Sequence, residues 1–268
     1  MKSKVLLMKT YQEINSKAWD SEVNNKNFWT LPITKEELLK AKNGEINIYL
    51  TPGKFVKNEW VKDVKNKKIL ALACGGGQQA IIFAAANNEV TVLDNSEKQL
   101  LQDKKTAEHF NLDITIKKAD MQDLSLFEDN TFDYIYNPTS TCFIEDVEKV
   151  YSECFRVLRE GGEFVTSATN PVLYLFDEKD VLRNKLKVKY TIPYSDIKSL
   201  SKKNLQKIID SNDTLEFSHT CEKLIGGITK AGFAIIDFYT DNSNNELLDS
   251  FIHDCYFAIR CKKMVSIQ

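Results

Sequence analysis

Short apolar runs alternate with segments of helical apolar spacing over most of the chain from residue 68 onward. Five of these runs are predicted to form strands, namely 69–73, 89–93, 114–118, 132–136 and 163–168, and the first of them is expected to be buried. Helices are predicted over 78–86, 96–110, 145–158 and 218–230, and two last strands over 234–239 and 256–261 with no helix between them. This order predicts an α/β fold with a doubly wound, seven-stranded sheet whose last strand is antiparallel.

Local signals set several of the helix ends. Thr34 with Glu37, and Ser96 with Gln99, have the spacing of a capping box, in which each residue satisfies a free N–H at a helix start. The pair Gly161-Gly162 is expected to end the helix over 145–158. These signals predict where helices begin and end, and they leave the loops at one edge of the sheet for chemistry.

The chain divides into a lead-in and a main domain. Residues 1–66 precede the first predicted strand and are expected to form a helical, aromatic-rich N-terminal cap. Residues 67–268 form the main domain, with an insertion at about 170–217 after the fifth strand. The apolar run Val5–Met8 is too short for a signal-peptide core or a membrane span. We expect a cytoplasmic monomer or homodimer without a membrane segment.

Composition narrows the possible partners. The 268 residues include 36 basic and 38 acidic side chains, for a formal net charge of −2. Nucleic-acid binders usually carry a basic excess, so no nucleic-acid partner is expected. The six cysteines form no Cys-x-x-Cys pair and none lies at zinc-finger spacing from a histidine. We therefore expect reduced cysteines and no metal site.

A glycine triplet follows the first predicted strand, in the sequence ILALACGGGQQA. A strand that runs through glycines into a helix can bring backbone N–H groups close to a ligand, because no side chain intervenes. Gly75, Gly77 and Ala80 also fit the spacing of dinucleotide-binding loops. The triplet predicts a ligand site at this edge of the sheet without identifying the ligand.

Polar residues follow the next three strands at the same edge. Asp94 lies nineteen residues after Gly75, where a carboxylate can accept both hydroxyls of an adenosine ribose; helix capping is the alternative. Asp120-Met121 can accept the adenine amino group and pack on its ring, unless Asp120 is simply a solvated loop acid. Asn137 precedes Pro138 and can face the reacting groups, although Asn-Pro is also an ordinary turn.

The ordered segments ILALACGGG, VTVLDNS, KADMQDLS, FDYIYNP and YSECFRVLREGGEF resemble the motif series of class I S-adenosylmethionine (SAM)-dependent methyltransferases. The resemblance covers about residues 67–170 and implies a Rossmann-like fold with SAM as cofactor. It implies that SAM is bound by Ala73, Cys74, Gly75, Gly77, Gln78, Asp94, Asn95, Gln99, Asp120, Met121 and Asn137. The family often has an acid where this chain has Cys74, so backbone groups or Gln78 are expected to contact the methionine amino group. The lead-in is similar to that of a group of bacterial small-molecule methyltransferases.

Methyl transfer from SAM is a direct displacement, so the protein must chiefly align a small-molecule acceptor and exclude water. The acceptor site is expected in the lead-in and in the insertion, whose aromatic residues suit a small ligand. Those residues are Tyr174, Phe176, Tyr190, Tyr194 and Phe217. His219 is the best candidate for a general base and Asn137 for a second catalytic residue. Helix-start capping is the alternative role for His219.

Other functions stay open at this point. An NAD(P)-dependent oxidoreductase could use the same glycines and Asp94, although about seventy residues precede the loop here. A non-catalytic SAM-binding protein is also compatible, with Cys74 in place of an acid as its support. Basic residues alternate with Leu182, Leu186 and Val188, a pattern that predicts a half-buried strand with a solvated face rather than a polyanion site.

Overall fold

A seven-stranded sheet forms the centre of the computed structural model, which describes residues 10–265; the run Val5–Met8 lies outside this range. The strands are β1 (Tyr49–Thr51), β2 (Lys54–Phe55), β3 (Lys68–Leu72), β4 (Glu89–Asp94), β5 (Ile114–Lys118), β6 (Phe132–Asn137), β7 (Leu158–Thr169), β8 (Phe233–Asp241) and β9 (Tyr256–Lys263). β1 and β2 form a separate hairpin. The large sheet has the order β5-β4-β3-β6-β7-β9-β8. Strands β3 to β7 pair in parallel and β9 is antiparallel to both neighbours, which confirms the predicted doubly wound sheet.

Helices cover both faces of the sheet. They are α1 (Tyr11–Asn24), α2 (Lys35–Lys42), α3 (Asn58–Val61), α4 (Gln79–Ala85), α5 (Glu97–Phe110), α6 (Val147–Val157), α7 (Glu178–Val181), α8 (Asp196–Ser199), α9 (Lys202–Ser211), α10 (Gly227–Lys230) and α11 (Glu246–Asp249). Along β3, Ile69 and Ala71 pack into one core, and Leu70 and Leu72 into the other. Two buried faces explain why this strand is apolar at every position.

The strand order reverses between β3 and β6, because β4 lies on one side of β3 and β6 on the other. Loops that leave the carboxyl ends of these two strands run in opposite directions and open a crevice between them. The glycine triplet follows β3, and Pro138 follows β6. The topology therefore places both predicted motifs at this crevice.

Several predicted details of the elements are wrong. The segment from Leu182 to Val188 is not a strand, and these two side chains are 73% and 63% exposed. Leu158 leaves α6 directly into β7, so Gly161-Gly162 lies within that strand and does not end the helix. The last predicted helix is a π-helical turn, Glu222–Gly226, followed by α10. The short helix α11 lies between β8 and β9, where none was predicted.

The lead-in also departs in part from the prediction. Thr34 and Glu37 form the predicted capping box at α2. The hairpin of β1 and β2 was not predicted from the sequence. The hairpin is hydrogen-bonded to the end of β8 in the main sheet, where Asp241 accepts from the Thr51 hydroxyl (2.7 Å) and the Gly53 N–H (2.8 Å). Within residues 10–265, no helix is both long and apolar enough to cross a bilayer.

Candidate functional site

The glycine loop after β3 is held by carboxylates of the protein itself. The N–H of Gly75 donates to Asp94 Oδ2 at 3.0 Å. The N–H groups of Gly76 and Gly77 donate to the two oxygens of Asp103, at 3.1 and 2.9 Å. These three N–H groups are therefore hydrogen-bonded within the protein, and the loop wraps around two acids. The predicted closeness of the loop to a ligand stays a prediction.

Asp103, which the sequence pattern did not single out, holds the glycine loop in place. It lies on α5 with 0% exposure, and burial, the main cause, raises its pKa to about 8 although two N–H groups act in the opposite direction. Asp94 raises that pKa further through its charge. The signal was present, because Asp103 falls on the same helix face as Leu100 and Ala107, both buried. An acid within a buried stripe needs partners, and here the partners are backbone amides.

Gly77 packs against α5. Its φ is +83°, and a Cβ added to it would lie 2.6 Å from Thr106 Oγ1. Gly77 does not line the cavity described below. The structure therefore does not support Gly77 as a residue that contacts the cofactor, and the position needs glycine for the turn and for the approach of α5.

A cavity of about 940 Å³ opens at the crevice between the ends of β3 and β6. Most of the predicted cofactor-binding residues line it, namely Ala73, Cys74, Gly75, Gln78, Asp94, Asn95, Gln99, Asp120 and Met121. The structure thus brings together, around one space, side chains that are spread over almost fifty positions of the sequence. Gly77, Asn137 and His219 do not line it.

Asp94, at the tip of β4, accepts the Gly75 N–H of the glycine loop with one carboxyl oxygen and a donor at the start of α5 with the other. Its second oxygen accepts the Ser96 N–H at 2.8 Å, so Asp94, and not Gln99, satisfies this free donor at the start of α5. Ser96 caps the helix by accepting the Gln99 N–H at 3.2 Å, which leaves only half of the predicted capping box. Burial raises the pKa of the Asp94 carboxyl. A carboxylate has further lone pairs, so Asp94 can also accept hydroxyl donors from the cavity.

Gln99 places an unpaired acceptor next to the glycine loop. It is 4% exposed, and its Oε1 has no hydrogen-bond partner among residues 10–265. Cys74 lies nearby, and burial raises the pKa of its thiol well above the ordinary value, so the thiol stays uncharged. Gln78 donates from Nε2 to the carbonyls of Phe28 and Leu31, at 2.7 and 2.8 Å. Gln99 is therefore the side chain of this group with an acceptor that lacks a hydrogen bond within residues 10–265.

Helix α1 lies over the tips of β4 and β5. Ser16 donates to the Asn95 carbonyl at 2.9 Å, and Asn95 Nδ2 donates to the Gln12 carbonyl at 2.8 Å. Gln122, which also donates to Asp120, donates to the Tyr11 hydroxyl at 2.8 Å. The lead-in thus contacts both loops that carry the predicted adenosine contacts.

Asn137 is placed inside the protein. It has 0% exposure; its Nδ2 donates to the Leu72 carbonyl (3.0 Å) and to Ser140 Oγ (2.8 Å). Its Oδ1 accepts the Thr166 hydroxyl at 3.0 Å. These bonds join the ends of β3, β6 and β7 behind the cavity wall. The structure does not support the prediction that Asn137 faces the reacting groups.

His219 is also placed away from the cavity. It is 5% exposed, and its Nε2 lies 2.9 Å from the Thr141 carbonyl. Burial lowers the pKa of the imidazole. The structure does not support a catalytic base at His219, and its contacts fix the short helical turn Thr141–Phe143.

The insertion supplies an aromatic and acidic end to the cavity. Tyr174 donates to Glu216 Oε2 at 2.8 Å, and Tyr194 donates to Asp196 Oδ1 at 2.7 Å. Tyr174, Phe176, Tyr190 and Tyr194 line the cavity, as predicted for an acceptor site, whereas Phe217 packs against Tyr11 instead. Glu216 was not singled out from the sequence; it also lines the cavity and precedes Phe217.

The chain contains one pair, Tyr194 and Lys198, with the spacing of a short-chain oxidoreductase proton relay. The Tyr194 hydroxyl donates to Asp196, and Lys198 is exposed. This pairing does not form a Tyr–Lys relay, so the geometry does not favour the oxidoreductase alternative.

Comparison with known proteins shows the family of this chain. Residues 70–166 match the family model described as a methyltransferase domain. The chain is 44% identical over 250 residues to the uncharacterised methyltransferase YbaJ of Bacillus subtilis. The matched region covers 93% of this chain and 97% of YbaJ. Two solved structures share the fold. An S-adenosylmethionine-dependent methyltransferase from Mesorhizobium loti has a TM-score of 0.54 at 19% identity, covering 75% of this chain and 92% of that one.

The second structure is the Burkholderia thailandensis 1,6-didemethyltoxoflavin-N1-methyltransferase with its acceptor and S-adenosylhomocysteine bound. Its TM-score is 0.58 at 12% identity, over 99% of this chain and 94% of that one. At such identities these two likenesses concern the fold. The long match to YbaJ, the methyltransferase domain and the sheet topology together establish the family. The chain belongs to the class I SAM-dependent methyltransferases.

Proposed function

We propose that this enzyme transfers the methyl group of SAM to a small-molecule acceptor held in the same cavity. The observation that carries the proposal is the extent of this cavity, from Asp94 at the tip of β4 to Tyr174 and Tyr190 in the insertion. Its volume of about 940 Å³ is at the upper end of small-ligand pockets, which span about 300–1,000 Å³. One space of this size suits a cofactor and a second, smaller molecule.

The residues at the glycine-loop end fit SAM. Asp94 offers carboxylate lone pairs for the ribose hydroxyls, and Asp120 with Met121 offers an acceptor and an apolar face for the adenine. Gln99 Oε1, buried and without a partner in residues 10–265, offers an acceptor for a hydroxyl or ammonium donor. An unsatisfied buried acceptor is costly, and a ligand donor would remove that cost. This supports an assignment of SAM to that end.

The chain's own contribution to the reaction is to orient two ligands and to exclude water. SAM, when bound, supplies a methyl group already activated by a positive sulfur. Helix α1 and the turn Phe28–Thr30 cover the glycine-loop end, and Trp19 and Phe143 pack edge to face at 5.5 Å on the cavity wall. We propose that the lead-in 1–66 acts as a cap on the domain 67–268, with the insertion closing the acceptor side. Orientation of this kind lowers the activation barrier of methyl transfer by several kcal/mol. The limit for ideally oriented reactants is ~7–11 kcal/mol.

Calorimetric titration tests the proposal directly. Purified protein is expected to bind SAM and S-adenosylhomocysteine, and NADH to produce no heat of binding. A screen of small metabolites with SAM, read as S-adenosylhomocysteine formation, then identifies the acceptor. Binding of NADH without binding of S-adenosylhomocysteine would refute the assignment. Binding of S-adenosylhomocysteine with no turnover of any acceptor would favour the non-catalytic alternative.

A further inference from the structure

The carboxyl group of Glu216 has one free oxygen at the insertion end of the cavity. Its Oε2 accepts the Tyr174 hydroxyl at 2.8 Å, and no donor within residues 10–265 is hydrogen-bonded to Oε1. No ion pair of the described residues includes Glu216. Glu216 lines the cavity, so a ligand there can reach the free oxygen.

Three tyrosine rings lie on the same part of the wall. Tyr174 and Tyr194 stack with ring centroids 5.6 Å apart and an interplanar angle of 22°. Tyr190 contacts Tyr194 at 5.0 Å. The faces of aromatic rings attract cations, and the attraction is strongest where water is excluded. A carboxylate beside aromatic faces is therefore a setting for a positively charged group.

The charges around Glu216 have the same sign. Burial is the main cause that raises the pKa of Glu216 to about 7; Tyr174 lowers it through its hydrogen bond, and Asp196 raises it further. Asp177 is already paired with Lys189 at 2.5 Å. The remaining basic residues of the cavity wall, Lys179, Arg183 and Lys207, are exposed at its rim. An anionic acceptor such as a carboxylate, phosphate or phenolate would be repelled here.

We propose that the acceptor is a primary or secondary amine, that it enters as an ammonium ion beside the tyrosine rings, and that Glu216 binds this ion and accepts one of its protons. This inference rests on the proposed function. One N–H bond breaks and its proton passes to the Glu216 carboxylate, which leaves a lone pair on nitrogen. That lone pair forms the N–CH₃ bond as the bond from the methyl carbon to sulfur breaks, and the bonding pair stays on sulfur. The products are the methylated ammonium ion, neutral S-adenosylhomocysteine sulfur and protonated Glu216, which returns its proton to solvent.

The reaction therefore needs Glu216 ionised when the ammonium enters. Burial has the largest effect on the pKa of Glu216, followed by Tyr174, Asp196, Glu178 and Asp213. Tyr194, Tyr256 and Cys142 also face this carboxyl group. Because burial and the neighbouring acids together raise its pKa to about 7, Glu216 is protonated below that pH, and ammonium binding is expected to strengthen as pH rises through about 7. An acceptor that binds as a neutral alcohol would not have this dependence.

Three probes of matched shape test the proposal: 2-phenylethylamine, 2-phenylethanol and phenylacetate. Each is titrated, by ligand-observed NMR, into protein saturated with S-adenosylhomocysteine. The amine is expected to bind at least about tenfold more tightly than the alcohol or the acid, since a charge-assisted hydrogen bond and a cation–π contact both favour it. Glu216→Gln is expected to remove this preference, and the exposed variant Glu108→Gln to retain it.

The outcomes are separable from those of the proposed function. S-adenosylhomocysteine affinity is measured first for all three proteins; if the wild type does not bind it, the proposed function fails. If it binds and the alcohol or the acid then binds as well as the amine, or no probe binds, the amine proposal is overturned. Retention of the full amine preference in folded Glu216→Gln overturns the role of Glu216. The preference of the wild type is informative by itself should that variant not fold.

Discussion

Asp103 Oδ1 accepts the main-chain N–H of Gly77 at 2.9 Å, and neither residue lines the cavity. The acid on α5 therefore holds the glycine loop from behind. In this chain the N–H groups of all three glycines donate to carboxyl oxygens of Asp94 or Asp103. The Cys74 thiol at the loop stays uncharged, because burial and the nearby acids Asp103 and Asp94 raise its pKa.

The first prediction concerns the pH dependence of Asp103. Because burial raises its folded-state pKa to about 8, the folded protein binds more protons than the unfolded chain between pH 3.8 and about 8. Stability contributed by wild-type Asp103 is therefore lost as pH rises through that range. The free energy of unfolding of the wild type, relative to Asp103→Asn, is expected to fall between pH 5.5 and pH 8.5. Urea unfolding at several pH values measures this, and parallel curves for the two proteins would contradict the assignment.

The second prediction separates the backbone strain from the steric overlap that a side chain at Gly77 would cause. Gly77→Ala places a Cβ 2.6 Å from Thr106 Oγ1 at a φ of +83°, whereas Gly44→Ala has a φ of +88° and nothing within 4 Å of the Cβ. Gly44→Ala therefore reports the backbone cost alone, about 1–2 kcal/mol. Gly77→Ala is expected to lose about 1–3 kcal/mol more, as for overpacked sites. Equal losses in thermal unfolding would show that α5 yields without cost.

The parallel part of the fold follows closely from the sequence. The boundaries of β3, β4 and β5 agree with the predicted strands to within one residue. β3 and β4 are largely apolar runs followed by the glycine loop or ending in Asp94, as is characteristic of strands buried on both faces, whereas β5 is a partly exposed edge strand. The insertion was predicted less well. Leu182 and Val188 alternate with basic residues as in a strand, but no neighbouring strand pairs with more than the single bridge between Val188 and Phe176 in the described structure. A local pattern cannot specify such partners.

The site was predictable where a residue type has a recognisable position after a strand, as for Asp94 and Met121. It was not predictable where long-range packing decides. His219 and Glu216 are three residues apart, yet Glu216 lines the cavity and His219 turns to the Thr141 carbonyl. Which of two polar residues faces a cavity depends on the path of the insertion. That path is set by long-range packing and cannot be derived from the local sequence pattern.

The third prediction concerns Asp94. Asp94→Asn keeps the shape of the side chain but removes the charge that would strengthen its bonds to ribose hydroxyls. SAM affinity is expected to fall about 30-fold, since charge-assisted hydrogen bonds contribute roughly 1.5–3 kcal/mol. Asp113→Asn, an exposed position before β5, is the matched control and is expected to leave affinity unchanged. Because Asp94 also accepts the N–H groups of Gly75 and Ser96, stability is measured in parallel. Unchanged SAM affinity in Asp94→Asn would exclude the ribose contact.

The fourth prediction tests His219 as a structural residue. Burial lowers its pKa below the ordinary value of 6.5, so the folded state favours the neutral ring. Its contribution is present above that pH and is lost as pH falls below it. His219→Gln is expected to destabilise the protein at pH 8 by about 1–3 kcal/mol, as for a lost buried hydrogen bond, and by less at pH 5.5. SAM affinity is expected to be unchanged. A variant of wild-type stability with no turnover would restore His219 as a candidate base.

The last prediction joins the lead-in to the insertion through Asn15. This residue of α1 is buried; its Nδ2 donates to the carbonyls of Phe143 and Leu215, both at 3.0 Å, and its Oδ1 accepts the Leu215 N–H at 2.7 Å. One side chain thus ties α1 to the segment that leads to Glu216. If the two segments close together over the ligands, S-adenosylhomocysteine should slow hydrogen exchange in 10–30 and 172–217 more than in β6 and β7.

Asn15→Ala breaks this link and is expected to speed exchange in both segments of the free protein, whereas the exposed variant Asn58→Ala is expected to change neither. With S-adenosylhomocysteine bound, Asn15→Ala should lose part of the protection against exchange in both segments together, because each segment is held in place by the other. Mass spectrometry of exchange measures this peptide by peptide. Faster exchange confined to α1 in Asn15→Ala would mean that the insertion is ordered independently of the lead-in. Unchanged exchange in both segments on addition of a saturating amount of S-adenosylhomocysteine would mean that the cavity does not close over it at all.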